Sequence, residues 1–233
     1  MKAEGRVAPQ RLPRRVSAPI AFHGSARIAT TDGSHPSALR ETIVSIDRGI
    51  AVDAEGLPVC GYRQIATRDS EDARRICRKA LVGSGEAVIL LSYPENRPLP
   101  LLTEISLFNG GARGNATMLF VHGYIPRSVA GAGAIVARVE MTKALDDRYG
   151  SIARIEIPRM SGGHGSLIEI DLRMRRTYLI ERKMKSYLSA RCPHGSLWLA
   201  TEKAVFRNEL QTPGVPAQTS MKGRFEIPCT PKR

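Results

Sequence analysis

Cys60, Cys77, Cys192 and Cys229 are the residues whose type and spacing say most about chemistry. None forms a C-x-x-C pair, so the spacing indicates no zinc site. Four thiols allow three disulfide connectivities. The expected pairing joins sequence neighbours, Cys60 with Cys77 and Cys192 with Cys229. The first bond would pin a helix to the turn-rich Gly56-Leu57-Pro58 segment, and the second would staple the C-terminal strand back onto a sheet. In the chain-entropy model loops of these sizes contribute about 3 and about 4 kcal/mol. Two such bridges imply an exported protein; four separate buried thiols in a cytosolic protein are the alternative.

The remaining reactive residues are dispersed. His23, His35, His122, His164 and His194 form no H-E-x-x-H or H-x-H pair. No metal site and no cofactor are expected; a metal would need ligands from distant strands, for example His122 with His164 and Asp171. Glu169 and Asp171 lie two residues apart on one strand face and could suit acid–base work on a sugar, although a solvated polar strand face has the same pattern. The loop containing Gly162, Gly163, His164 and Gly165 could turn backbone N–H groups toward an anion. It is not a P-loop, since no Gly-Lys-Ser/Thr follows, and glycine clusters usually make plain turns. The absence of a G-x-S-x-G elbow argues against an α/β-hydrolase.

Charge is the other chemical feature. Across 233 residues, 35 Lys+Arg face 22 Asp+Glu, a formal net charge of +13. Such a balance favours attraction to polyanions; acidic envelope polymers, anionic lipid headgroups and nucleic acid are the candidate partners. The densest stretch holds Arg173, Arg175, Arg176, Arg182, Lys183, Lys185 and Arg191 against Glu181 alone, with Tyr178 and Tyr187 among them. Basic residues beside tyrosines could bind phosphates or single strands. Exposed charges near a strand end also discourage edge pairing, which is the plainer reading.

The elements that must position these residues are short strands. Ile168, Ile170, Leu172 and Met174 alternate with Glu169, Asp171 and Arg173, and the same period recurs around 135–141, 153–157 and 221–227. Val88–Leu91 and Met118–Val121 are apolar without alternation, as in strands covered on both faces. Asn109–Asn115 reads as a hairpin loop. One short helix is expected near Ser70–Ala80, capped by Asp69 or Ser70, with Cys77 on its apolar face and Gly83 as its stop. The fold class is mainly β: an antiparallel β-sandwich or partly open barrel with one short α-helix.

Residues 1–38 carry six basic and two acidic side chains, repeated Pro and Arg, and few apolar residues. They read as a disordered basic arm and linker ahead of a single β-rich domain over 39–233. They contain no apolar stretch of signal-peptide length, so the leader reading and the cysteine reading pull apart, with a cytoplasmic protein as the alternative to an exported one. No stretch is long and apolar enough for a membrane-spanning helix.

Gly56-Leu57-Pro58-Val59-Cys60, Ala80-Leu81-Val82-Gly83-Ser84-Gly85, Leu107-Phe108-Asn109-Gly110-Gly111 and Tyr187-Leu188-Ser189-Ala190-Arg191-Cys192-Pro193 together resemble an uncharacterised group of bacterial proteins. The likeness runs from about Leu39 to Cys229. Those proteins usually carry a signal peptide, and the resemblance implies export, four cysteines and an all-β body. It brings no activity, so no functional residue is carried over. The expected function is a non-enzymatic, extracytoplasmic β-domain with a binding or structural role at the bacterial cell envelope. A polysaccharide-directed hydrolase and a basic nucleic-acid-binding protein are the alternatives, and the sequence assigns no oligomeric state.

Overall fold

The computed structural model describes residues 1–94, 97–129 and 131–232. The first half of the chain supplies β1 (Lys2–Ala8), β2 (Arg11–Pro13), β3 (Ala18–Pro19), β4 (Ala21–Arg27), β5 (Ala38–Asp47), β6 (Ile50–Val52), β7 (Leu81–Leu91), β8 (Leu99–Arg113) and β9 (Ala116–Ile125). The second half supplies β10 (Gly133–Lys143), β11 (Tyr149–Glu156), β12 (Gly165–Met174), β13 (Thr177–Ile180), β14 (Lys183–Ser186), β15 (Leu188–Ala190), β16 (Ser196–Arg207), β17 (Gln218–Pro228) and β18 (Thr230–Lys232). Between β6 and β7 lie α1 (Tyr62–Ile65) and α2 (Ser70–Ile76).

Eleven strands form one antiparallel sheet in the order β1, β4, β12, β7, β8, β9, β10, β11, β5, β16, β17. The sheet curls until it is nearly closed into a barrel. Its two edges meet through side chains: a Cβ at Gly5 of β1 would lie 2.8 Å from the Phe225 ring of β17. The mainly β expectation therefore holds, in its barrel form and not as two stacked layers. The interior face buries Val7, Ile105, Leu107, Leu119, Val139 and Ile227, with Phe22, Leu172 and Phe225 packed against them. A small sheet of β3, β15 and β6 lies against the same core and includes buried Leu188 and Ala190. Burying side chains of this size contributes about 1.5–3 kcal/mol each.

The expected disordered arm is instead wall. Within residues 1–38, β1 pairs with β4, and β4 pairs in turn with β12. The low apolar content has a packing reason. On the interior face Gly5 sits opposite Gly24, and Phe22 fills the space that their missing side chains leave. Val7, 2% exposed, anchors this part of the strand pair to the core.

The apolar run Met118–Val121 is covered on both faces, as expected. Leu119 points into the barrel core, whereas Phe120 points out and packs with Cys60, Ile65, Ala73 and Cys77 in a second core beneath the helices. Asp69 caps α2 by accepting from the Asp72 N–H at 2.8 Å. The helix ends well before Gly83, its expected stop. Gly83 lies within β7, where a Cβ would come 2.5 Å from the Arg173 carbonyl oxygen, so its role is close strand approach. The hairpin loop is also shorter than expected. Asn109–Arg113 belong to β8, and the turn is confined to Gly114-Asn115. Asn109 is buried because its amide donates to the Leu57 and Pro58 carbonyls, tying the helical segment to the wall.

Both expected disulfides form. Cys60–Cys77 spans 5.5 Å between Cα atoms and closes the helical segment on itself. Cys192–Cys229 spans 6.1 Å and joins the segment after β15 to the segment after β17. Both separations fall within the ordinary disulfide range.

Candidate functional site

The basic stretch is divided among several surroundings. Arg173 belongs to β12 and faces outward over the wall. Arg176 donates to the Lys79 carbonyl at 3.3 Å. The Lys185 ammonium reaches Glu55 at 2.5 Å and Asp53 at 3.4 Å; these hydrogen bonds, that to Glu55 above all, raise its pKa. Arg191 lies beside the second disulfide, and its N–H donates to the Gly49 carbonyl. Arg175, Arg182 and Lys183, like Arg173, are exposed and meet no carboxylate among the described residues. The seven residues are thus not one site.

Three of these cations, Arg175, Arg182 and Lys183, belong to or flank a two-stranded hairpin, β13 with β14, which is separate from the main sheet. Its turn is Glu181-Arg182, both at positive φ (46° and 63°). This left-handed geometry matches the twist of hairpin strands, but it is a strained choice for residues other than glycine. One face of the hairpin is held down. The Tyr178 hydroxyl donates to the Asp53 carbonyl at 2.9 Å, Lys185 makes its ion pairs there, and Ile180 covers Gly56. The opposite face carries Leu179 and Met184, direct cross-strand partners that are 65% and 70% exposed. Attention to charge hides this apolar pair in the sequence. The visible signal is Tyr178-Leu179-Ile180, a run with no polar alternation beside a basic turn.

The two tyrosines of the basic stretch and the tryptophan do not offer stacking platforms for bases. Tyr187 is fully buried, with burial raising its pKa, and Tyr178 packs on the core. The single tryptophan, Trp198, is already stacked, with Arg148 and Arg224 over its ring at 4.7 and 5.6 Å.

A second surface is a groove of about 660 Å³ across the outer face of β1, β4, β12 and β7. Cross-strand register brings Glu4, Ser25, Asp171 and Glu86 into one outward row, with Arg27 and Glu169 in the next. The expected carboxylate pair is therefore in a groove, but both members already have side-chain partners. His23 Nε2 donates to Asp171 at 2.7 Å, and Arg27 donates to Glu169 at 2.5 Å. Nothing in the local sequence marks His23 and Arg27 as the partners, because both lie within residues 1–38, far along the chain from the pair they meet.

The Gly162–Gly165 loop turns its N–H groups inward. Those of Gly163 and Gly165 donate to the Met160 carbonyl and that of His164 to the Ser161 carbonyl, so a plain turn describes it. His122, His164 and Asp171 are not brought together: His122 bonds the Arg68 carbonyl, His164 the Ser92 carbonyl, and Asp171 pairs with His23. Among the described residues no group of three or more His, Cys, Asp or Glu is placed to hold a metal ion. Among the same residues, no helix is long and apolar enough to cross a membrane. Two disulfides suit an oxidising, extracytoplasmic setting.

Comparison with protein-family models finds no match, and no curated protein or solved structure matches the chain.

Proposed function

We propose that this protein is an exported, disulfide-stapled β-domain with a non-enzymatic role in binding anionic components of the bacterial cell envelope. The observation that carries this reading is the hairpin's unneutralised charge. Arg175, Arg182 and Lys183 project without carboxylate partners among the described residues, on a chain whose cations exceed its acids by 13. Unpaired exposed cations contribute little to stability, and they supply the long-range attraction that a polyanion needs. The disulfides support the compartment.

Retention of the oxidised protein on heparin resin, a soluble-polyanion probe, tests the reading. Elution above about 0.3 M salt is expected, a screening range in which the Debye length is already only several Å. Substituting Arg175, Arg182 and Lys183 together by Glu should move elution to markedly lower salt. Flow-through of the unaltered protein at low salt would overturn the proposal.

One observation favours a second reading, a polysaccharide-directed hydrolase: the groove gathers Glu4, Glu86, Glu169 and Asp171. Release of reducing ends from envelope polysaccharide, abolished by Glu169→Gln or Asp171→Asn, would establish it in place of the binding role.

A further inference from the structure

We infer that the hairpin of β13 and β14 is a docking element for the surface of an anionic lipid bilayer, an inference that rests on the envelope reading above and specifies its target. Three features of the hairpin converge on this. Its outward face presents Leu179 and Met184 side by side, both mostly exposed. Its turn carries Arg182 at the tip with Glu181 as the one acid, and exposed Lys183, the cross-strand partner of Ile180, opens β14 directly before Met184. Its other face is fixed to the body through Tyr178, Ile180 and Lys185, so the apolar pair cannot fold back onto the protein without breaking those contacts.

The combination selects a bilayer over other anionic partners. A soluble polyanion satisfies Arg182 and Lys183 and offers nothing to Leu179 and Met184. A bilayer surface meets both needs: headgroup phosphates for the cations, and the acyl boundary for two side chains that enter it to a shallow depth. A second copy of this chain is a poorer occupant. Two apolar side chains fall far short of the area of roughly 1,000 Å² that a specific interface needs, and like net charge repels. The left-handed turn supports the same end. Glycine would adopt it with less strain, whereas Arg182 at this position puts a cation at the tip.

Near an anionic leaflet each Lys or Arg raises partition roughly fivefold. Insertion of Leu179 and Met184 adds about tenfold or more for each. Loss of either set should therefore be plainly measurable.

Sedimentation with vesicles of phosphatidylcholine containing 30% phosphatidylglycerol tests this, beside heparin retention of the same samples. The unaltered protein should pellet with these vesicles and remain in solution with pure phosphatidylcholine. L179S/M184S should lower vesicle partition at least tenfold and leave heparin elution and thermal midpoint unchanged. R182E/K183E should lower both vesicle partition and heparin elution. Heparin retention without vesicle pelleting would overturn the bilayer proposal and leave the polyanion reading standing. Loss of both would remove both. Unaltered pelleting of L179S/M184S, or a dimer of the unaltered protein that L179S/M184S dissolves, would also overturn the bilayer proposal.

Discussion

Two appendages lie outside the eleven-stranded wall, and they divide their apolar and basic residues between core, ion pairs and solvent in different proportions. The helical segment between β6 and β7 turns Cys60, Ile65, Ala73, Cys77 and Ala80 onto the outer surface of the sheet and closes with a disulfide. Several of its arginines meet carboxylates: Arg68 and Arg75 reach Asp72, and Arg74 reaches Glu104 at 2.9 Å. The hairpin of β13 and β14 leaves Leu179 and Met184 outside and, among the described residues, Arg182 and Lys183 without a carboxylate partner. Both segments are rich in Arg and Lys. Composition does not separate them; the direction of the side chains and the supply of acids do. The first pattern stabilises the fold, and the second leaves surface available to a partner.

The largest effects should come from covalent ties. Replacing Cys192 and Cys229 by Ala is expected to cost about 4 kcal/mol, and replacing Cys60 and Cys77 about 3 kcal/mol, following their loop lengths. The residues they close are 37 and 17 apart. Urea unfolding of each double variant measures both. A negligible loss for the Cys60–Cys77 pair would show that the helical segment is held by packing alone.

Ile65→Ala should cost about 2–5 kcal/mol, because the side chain is fully buried between helix and sheet. Leucine 179 is the matched control on the hairpin: Leu179→Ala should stay within about 0.5 kcal/mol, as exposed substitutions do. Equal losses at the two positions, read from denaturant midpoints, would erase the distinction drawn between the appendages.

A smaller, pH-dependent effect should come from His122, which lies under the helical segment. Burial pushes its imidazole below the ordinary histidine value, against the opposing influence of the Arg68 and Ile65 carbonyls and of Asp69, with Arg74 adding to the depression. The unfolded chain therefore takes up this proton at higher pH than the folded one. Stability should be full above about pH 6.5 and fall as pH drops from there toward the folded value. Midpoints measured from pH 7.5 to 5 should show this slope, and His122→Gln should flatten it. The hairpin contains no histidine, so L179S/M184S should keep the slope unchanged.

Much of the wall was legible in the sequence, since a strand with one face on the core alternates with period two. Ile170, Leu172 and Met174 line the interior as their spacing requires. The cysteine pairing was legible because a short loop and a capped helix left Cys77 facing Cys60. The first strands were not legible. Gly5 and Gly24 contribute to the interior by having no side chain, and a hydrophobic pattern cannot register an absence filled by Phe22. The Glu169 and Asp171 pair was visible, but its partners Arg27 and His23 lie more than a hundred residues away and are joined only by sheet register. On the hairpin the basic residues were visible. Which of them were free depended on Asp53 and Glu55, contributed by a distant loop.

The most direct test gives both appendages the same change in charge. R182E/K183E alters the hairpin; R63E/R78E alters two exposed arginines of the helical segment. Each variant is pelleted with 30% phosphatidylglycerol vesicles at one salt concentration. The account predicts a loss of more than tenfold for the hairpin variant and less than about threefold for the other, the residual effect of net charge near an anionic surface. Equal losses would mean that overall charge, and not the hairpin, governs binding.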